Sequence, residues 1–286
     1  MNVKFFSLLL IIFLGLSLGF TSCSSDDNDD DDKIENNDEE SDTVGALKEA
    51  LLIGAATAST ELGKDGGYLN DSLARIALPE EINSFFETIG KLKQSKAGDS
   101  LLNIVGISAD DLENTMTTLI NKASEDAAAK AVNVFKTIIV DMNISDEESI
   151  LFGENNAATK YLYNNSFYDL QSAFKPTITE SLSNVSFDGL NVNQAWETVT
   201  TQYGYLMDCE SLGGNDAMLE LKLVDPDSYN KIINMKSLEI DLADYVTEKA
   251  LNGLLYKIAN KELDIRTNAA SRTSDLLKNI FGKLDK

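Results

Sequence analysis

The chain contains no histidine. That removes the commonest general base, the Ser-His and Cys-His nucleophile pairs, and the His-containing zinc and di-iron centres. Of its two cysteines, Cys209 lies between Asp208 and Glu210. Neighbouring negative charge disfavours a reactive thiolate there. Adjacent carboxylates, Asp110-Asp111 and Asp146-Glu147-Glu148, have the types needed for acid–base work. They fall where helices start, and helix N-termini favour negative charge for their own sake. Ser228 and Lys231 have the Ser-x-x-Lys spacing of an acylating serine and its lysine, but the companion motifs are missing. No Walker loop, dinucleotide fingerprint or Gly-x-Ser-x-Gly elbow is present. The sequence therefore implies no cofactor and no metal site. Three arginines stand out among 24 basic residues: Arg75, Arg266 and Arg272. A planar guanidinium fork suits a carboxylate or a phosphate. Either each arginine pairs with an acid such as Glu262, Asp264 or Asp275 and pins helix ends, or the three form a small anion site near Tyr68 and Tyr245.

Cys23 stands at a sharp boundary. Before it runs Phe5 to Phe20, an apolar stretch of 16 residues that follows Lys4. That is the length of an export-signal core and is short of the roughly 18–20 residues that span a bilayer. Phe20-Thr21-Ser22-Cys23 resembles the lipobox of bacterial lipoproteins, with Phe20 where Leu is usual. The resemblance implies cleavage before Cys23 and acylation of its thiol and amine. Several acyl chains anchor far more firmly than one, at about 0.8 kcal/mol per buried CH₂. Residues 1–22 then read as a signal peptide. Residues 23–42 read as the lipidated cysteine and an acidic tether.

From Asp26 to Asp42 there are eleven acidic residues and one basic, Lys33. Such a block repels itself and cannot bury apolar surface, so disorder is expected. About 20 residues of coil reach roughly 25 Å root-mean-square. The plain reading is a solvated spacer. A serine and acidic run after the lipidated cysteine is also similar to the export signal of surface lipoproteins in some Gram-negative bacteria. The implied location is the outer membrane, on its periplasmic or cell-surface face.

Residues 43–286 carry a net charge of −14 within a total of −23. A phosphate backbone needs a basic face, so nucleic acid is excluded as a partner. With Cys23 lipidated, Cys209 has no disulfide partner. Three prolines and abundant Ala, Leu, Lys and Glu favour helix.

The elements follow from periodicity. Leu47, Leu51, Gly54, Ala58 and Leu62 share one helical face, with Thr43 as the expected N-cap and Gly63 as the stop. Pro79 fits a helix start, followed by Ile82, Phe85, Phe86, Ile89 and Leu92 on the buried side. Ser108 to Asp111 opens the next helix, and 124–142 reads as Ala-rich and periodic. Ser145-Asp146-Glu147-Glu148 has capping-box form. Tyr163, Phe167, Leu170 and Phe174 form an expected core stripe, and Pro176 ends or kinks their helix. Leu219, Leu221 and Leu223 alternate as in a short strand. Asp241 to Leu263 places Val246, Ala250, Leu254 and Ile258 every fourth residue. Gly253 inside that helix implies close packing. Ser271 to Phe281 closes the chain. The expected architecture is an all-α multi-helix array or bundle, one domain over 43–286, with at most a short irregular hairpin in 205–240.

Three blocks carry a family resemblance: Ala46 to Leu51 running on through Gly66-Gly67-Tyr68 to Leu78-Pro79; Gly153 to Pro176; and Asp241 to Gly282. The last contains Tyr245-Val246-Thr247-Glu248-Lys249-Ala250, Ile265-Arg266 and Arg272-Thr273. Together they resemble the bacterial family known as domain of unknown function 4197. That resemblance implies a helical fold and an exported setting, and no activity. The function expected is a lipid-anchored envelope module, non-catalytic, binding an envelope protein or a small ligand, with its membrane contact made through acyl chains on Cys23. The alternatives are a carboxylate-based hydrolase acting on envelope glycans, and a carrier of an apolar small molecule.

Overall fold

The computed structural model describes residues 41–108 and 111–285. The leader, Cys23, nearly all of the acidic stretch, and Ala109 and Asp110 lie outside the described residues.

Twelve helices are described in chain order: α1 (Asp42–Leu62), α2 (Glu80–Leu92), α3 (Lys96–Val105), α4 (Leu112–Ala128), α5 (Val132–Asp141), α6 (Glu147–Leu151), α7 (Ala157–Asn184), α8 (Val192–Met207), α9 (Asn215–Val224), α10 (Pro226–Ile233), α11 (Leu242–Thr267) and α12 (Asp275–Phe281). One antiparallel hairpin, β1 (Ser186–Phe187) and β2 (Leu190–Asn191), joins α7 to α8. The fold is the all-α array expected.

The two strongest sequence stripes face each other. Leu47, Leu51, Ala58 and Leu62 of α1 are fully buried, as are Val246, Ala250, Leu254 and Ile258 of α11. α1 and α11 make the most extensive helix pair. Burying each large apolar side chain contributes roughly 1.5–3 kcal/mol. Gly54 lets the helices close: a Cβ there would lie 2.9 Å from Ile258 Cγ2 and 3.3 Å from Ile258 Cα. α7, α5 and α12 pack around this pair. α4 joins α7 to α8, and α2, α3, α9 and α10 form an outer group beside α8.

Several expectations need correction. Ser41, not Thr43, caps α1, accepting from Val44 N–H at 3.2 Å. Residues 124–142 are two helices, broken at Ala129–Ala131. Ser145 forms no capping box. The five-residue α6 starts at Glu147, with Asp146 before it making no side-chain cap. α7 runs through Pro176 to Asn184. Pro176 and Ser172 are both exposed, so water can satisfy the carbonyl that the proline leaves without a donor. The buried line of α7 is Leu162, Ser166, Leu170, Phe174 and Ile178. Tyr163 is 45% exposed and Phe167 half-buried, their tilted rings 4.8 Å apart on the helix flank.

The hairpin lies at 186–191, not in 205–240. Its two-residue turn, Asp188-Gly189, has φ of 52° and 79°, the left-handed pair that suits the twist of a tight hairpin. Residues 205–240 are mostly helical. Leu219, Leu221 and Leu223 belong to α9, and of these three leucines only Leu221 is buried. Their alternation reflects two exposed leucines flanking one core residue.

Candidate functional site

Most of the residues with chemical potential act as internal fasteners. Glu262 of α11 is fully buried. It accepts from Ala158 N–H (2.9 Å), Thr159 N–H (2.7 Å), the Thr159 hydroxyl (2.7 Å) and Arg266 Nε (2.8 Å). Asn156 provides no side-chain cap for α7. Glu262 therefore satisfies two orphan amides of α7's first turn from a neighbouring helix. Arg266 also donates to the carbonyls of Leu151 and Ile150, at 2.7 and 3.0 Å, and sits over the Phe281 ring. Arg272 donates to the carbonyls of Ile265 and Arg266 and makes a two-pronged pair with Asp285 at 2.6 and 2.7 Å.

A second fastening holds the segment from Gly63 to Pro79. Glu125 accepts from Tyr68 and Leu69 N–H, both at 3.1 Å. Asn121 clamps Ile76, accepting its N–H at 2.9 Å and donating to its carbonyl at 2.8 Å. The fully buried Tyr68 donates its hydroxyl to Ala250 O at 2.7 Å. Burial, with the Glu125 charge nearby, pushes that phenol far above its ordinary range, so it serves as a neutral donor. Gly253 exists for this ring: a Cβ would meet Tyr68 Cε1 at 2.7 Å.

The three arginines do not converge. Arg75 is exposed, in a groove with Tyr245, Lys249 and Gly253. Arg266 follows Gly253 by thirteen residues on α11, about 20 Å along the axis. Arg266 and Arg272 are neighbours whose guanidinium groups are engaged within the protein. Tyr68 is enclosed, and Tyr245 donates to Ala77 O at 2.9 Å. Of the five residues read as an anion site, Arg75 and Tyr245 share a surface groove and the other three are core fasteners.

The Ser-x-x-Lys pair is not a nucleophile and base. Ser228 is fully buried in the first turn of α10, its N–H held by Asp225 at 3.2 Å. Lys231 Nζ lies 3.6 Å from Glu87. Cys209 is buried, and burial followed by the Glu210 charge raises its thiol pKa.

A cleft of about 880 Å³ lies between α2, α8, α10 and the segment after α10. Its position follows from three helix starts. Pro79 opens α2, accepting from Ile82 and Asn83 N–H at 3.0 Å. Asn191 and Gln194 form a reciprocal capping box on α8. Asp225 and Pro226 open α10. The Phe85 and Tyr203 rings pack 5.6 Å apart on the cleft wall. The Tyr203 hydroxyl donates to Lys236 O at 2.8 Å and ties down the far lip. Burial raises the Tyr203 pKa, and the Glu81 charge adds to it. Three exposed carboxylates, Glu80, Glu81 and Glu239, line the opening. Against them stand Lys231, already beside Glu87, and Lys236. The chemistry on offer is a ring-walled recess with an acidic rim.

A model of the family described as protein of unknown function (DUF4197) matches residues 37–282. The chain belongs to that family. No curated protein and no solved structure matches it. The matched span of this DUF4197 protein takes in both fastenings apart from Asp285, and the whole cleft. Sequence reasoning missed Glu125, Asn121 and the cleft. Arg266 pairing with Glu262 was foreseeable from their i, i+4 spacing.

Proposed function

We propose that this protein is a non-catalytic binding module, held at the cell envelope by acyl chains on Cys23, that receives a cationic group in the cleft between α2, α8 and α10. One observation carries the ligand part: a recess of about 880 Å³ lined by Glu80, Glu81 and Glu239, with Lys231 and Lys236, over the buried Phe85 and Tyr203. Carboxylates at the rim of a partly apolar recess favour an organic ammonium with an apolar body. Such a group is found on a small amine or on a basic side chain of a partner. Mixed polar lining argues against the apolar carrier. Glu80 and Glu81 sit in the first turn of α2, where the helix dipole gives them a structural reason to be acidic; this weighs against the hydrolase. The anchoring part rests on the Phe20–Cys23 pattern and the acidic stretch after it.

Titration with phenethylammonium, followed by methyl NMR of methionine, tests the cleft. Met235 lines it, and its methyl signal should shift saturably. Glu81→Gln and Glu239→Gln should each weaken binding roughly two- to fivefold, the scale of an exposed ion pair. A Met235 signal that stays still at saturating amine refutes the cleft. Mass spectrometry of the mature protein from envelope membranes tests the anchor: an unmodified Cys23 or an uncleaved leader refutes that part.

A further inference from the structure

We infer that the groove between residues 73–77 and α11 is a second binding site, which takes an amino-acyl unit ending in a free α-carboxylate. Its lining shares no residue with that of the cleft. Its basis is one short extended edge of backbone. Ala74, Ile76 and Leu78 are buried while Arg75 and Ala77 are exposed, the alternation of a strand. Ile76 turns both its N–H and its carbonyl to Asn121. In an extended chain the flanking residues then present their polar groups to the opposite side, toward α11. On that side Arg75 N–H is taken by Asp71 O at 2.8 Å, and Ala77 O by the Tyr245 hydroxyl at 2.9 Å. Between these two closures, Arg75 O and Ala77 N–H have no partner among the described residues.

That acceptor and donor, on either side of Ile76, are the pair a parallel strand uses to hold one residue. A bound unit would donate its N–H to Arg75 O and accept from Ala77 N–H with its carboxylate. The groove has a volume of about 260 Å³, below the roughly 300 Å³ at which ordinary ligand pockets begin. It suits one residue, and its closed ends prevent a longer ladder. The remaining lining matches a carboxylate. Arg75 has no ion pair among the described residues, and Lys249 pairs with its neighbour Glu248 at 3.0 Å. The side-chain amide of Asn252, also on the groove, has no hydrogen-bond partner among the described residues. The groove's own lining holds two cations and no carboxylate, with Glu248 and Glu81 near enough to act on Tyr245, in a body of charge −14. The rigid floor needed for such recognition is present: Tyr68 fills the space under Gly253, and Asn121 fixes Ile76 from behind.

The chemistry is shared by a peptide C-terminus and a free amino acid, and the probes separate them. The full-length mature chain, labelled with ¹⁵N, is titrated with N-acetyl-alanine, N-acetyl-alanine methylamide and free alanine, following the Ala77 amide and the Asn252 side-chain amide. N-acetyl-alanine should shift both saturably, and the methylamide should bind about tenfold more weakly, a difference of about 1.4 kcal/mol. Arg75→Gln, at an exposed position without a structural partner, should weaken N-acetyl-alanine about tenfold and leave the Met235 response to phenethylammonium unchanged. Free alanine binding about as tightly as the acetylated form assigns the site to amino acids; tighter binding of the acetylated form assigns it to peptide ends. Absence of a saturable Ala77 shift with both carboxylates, or equal binding of the methylamide, overturns the inference.

Discussion

Replacing Glu262 tests the physical account of the core most directly. Its carboxylate is enclosed and holds four donors, one of them a guanidinium that is itself buried. Glu262→Gln keeps the shape and removes the charge. Arg266 is then a buried cation without its counterion, and the new amide NH₂ confronts donors it cannot accept from. Breaking one side of a buried pair costs about 3–5 kcal/mol. For a domain of this size each kcal/mol lowers Tm by about 2–4 °C, so a fall of roughly 6–20 °C is expected. The double variant Glu262→Leu with Arg266→Met removes both charges together. It still leaves the Ala158 and Thr159 amides uncapped, at about 1 kcal/mol for the lost cap. It should therefore be less damaging than the sum of Glu262→Leu and Arg266→Met, with a coupling of up to about 3 kcal/mol. Urea denaturation of the four proteins, followed by circular dichroism, supplies the cycle. Single-variant losses that add within about 0.5 kcal/mol, as independent sites do, would refute the reasoning.

Other outcomes follow from the same geometry. Asp264, held by Lys261, Ser271 and Asn268, has its pKa lowered to about 2. A carboxyl more acidic when folded than unfolded stabilises the fold above the unfolded pKa near 4, and that contribution disappears as pH falls toward 2. Asp264→Asn should flatten the acid limb of a Tm-versus-pH curve, and an unchanged limb contradicts this. Cys209 should resist a disulfide reagent at pH 8 in the native protein and react stoichiometrically in denaturant; rapid native labelling contradicts its burial. Gly253→Ala gains about 1 kcal/mol of helix propensity but forces a methyl to 2.7 Å from Tyr68 Cε1, where overpacking costs about 1–3 kcal/mol. The net change should be destabilising by urea titration, and a raised midpoint would show that Tyr68 moves freely. Gly189→Ala meets no atom within 4 Å, so its cost should be conformational alone, about 1 kcal/mol for leaving a left-handed glycine.

Legibility in the sequence tracked the range of the interaction. α1 and α11 were visible because a period near four repeats over whole helices, and the partner of each was the other. Arg266 with Glu262 was visible because both lie on one helix. Arg272 was half visible: its acid is Asp285, across the turn into α12 and beyond it, rather than Asp275. Glu125 and Asn121 carry no local sign of their role, since they bind backbone 56–57 and 45 residues away. The stripe on α7 was drawn through the largest rings, but the buried line contains Ser166, whose small polar side chain hid it. α9 was misread because Leu219 and Leu223 are 64% and 78% exposed, an apolar surface that mimics strand alternation. The cleft has no linear signature. Its walls come from α2, α8 and the segment after α10, brought together only by tertiary packing.

α1 is the helix nearest the acidic run in sequence, and it packs against α11, α5, α12, α6 and α4. A mechanical load applied at Ser41 therefore enters the molecule through a rod held by several others. With Gly54 seated against Ile258 and Ser274 reaching Glu49 at 3.0 Å, that rod must slide past α11 and α12 rather than unzip from an edge. Sliding breaks many side-chain contacts at once, so the body should withstand a tug from this end as a stiff unit.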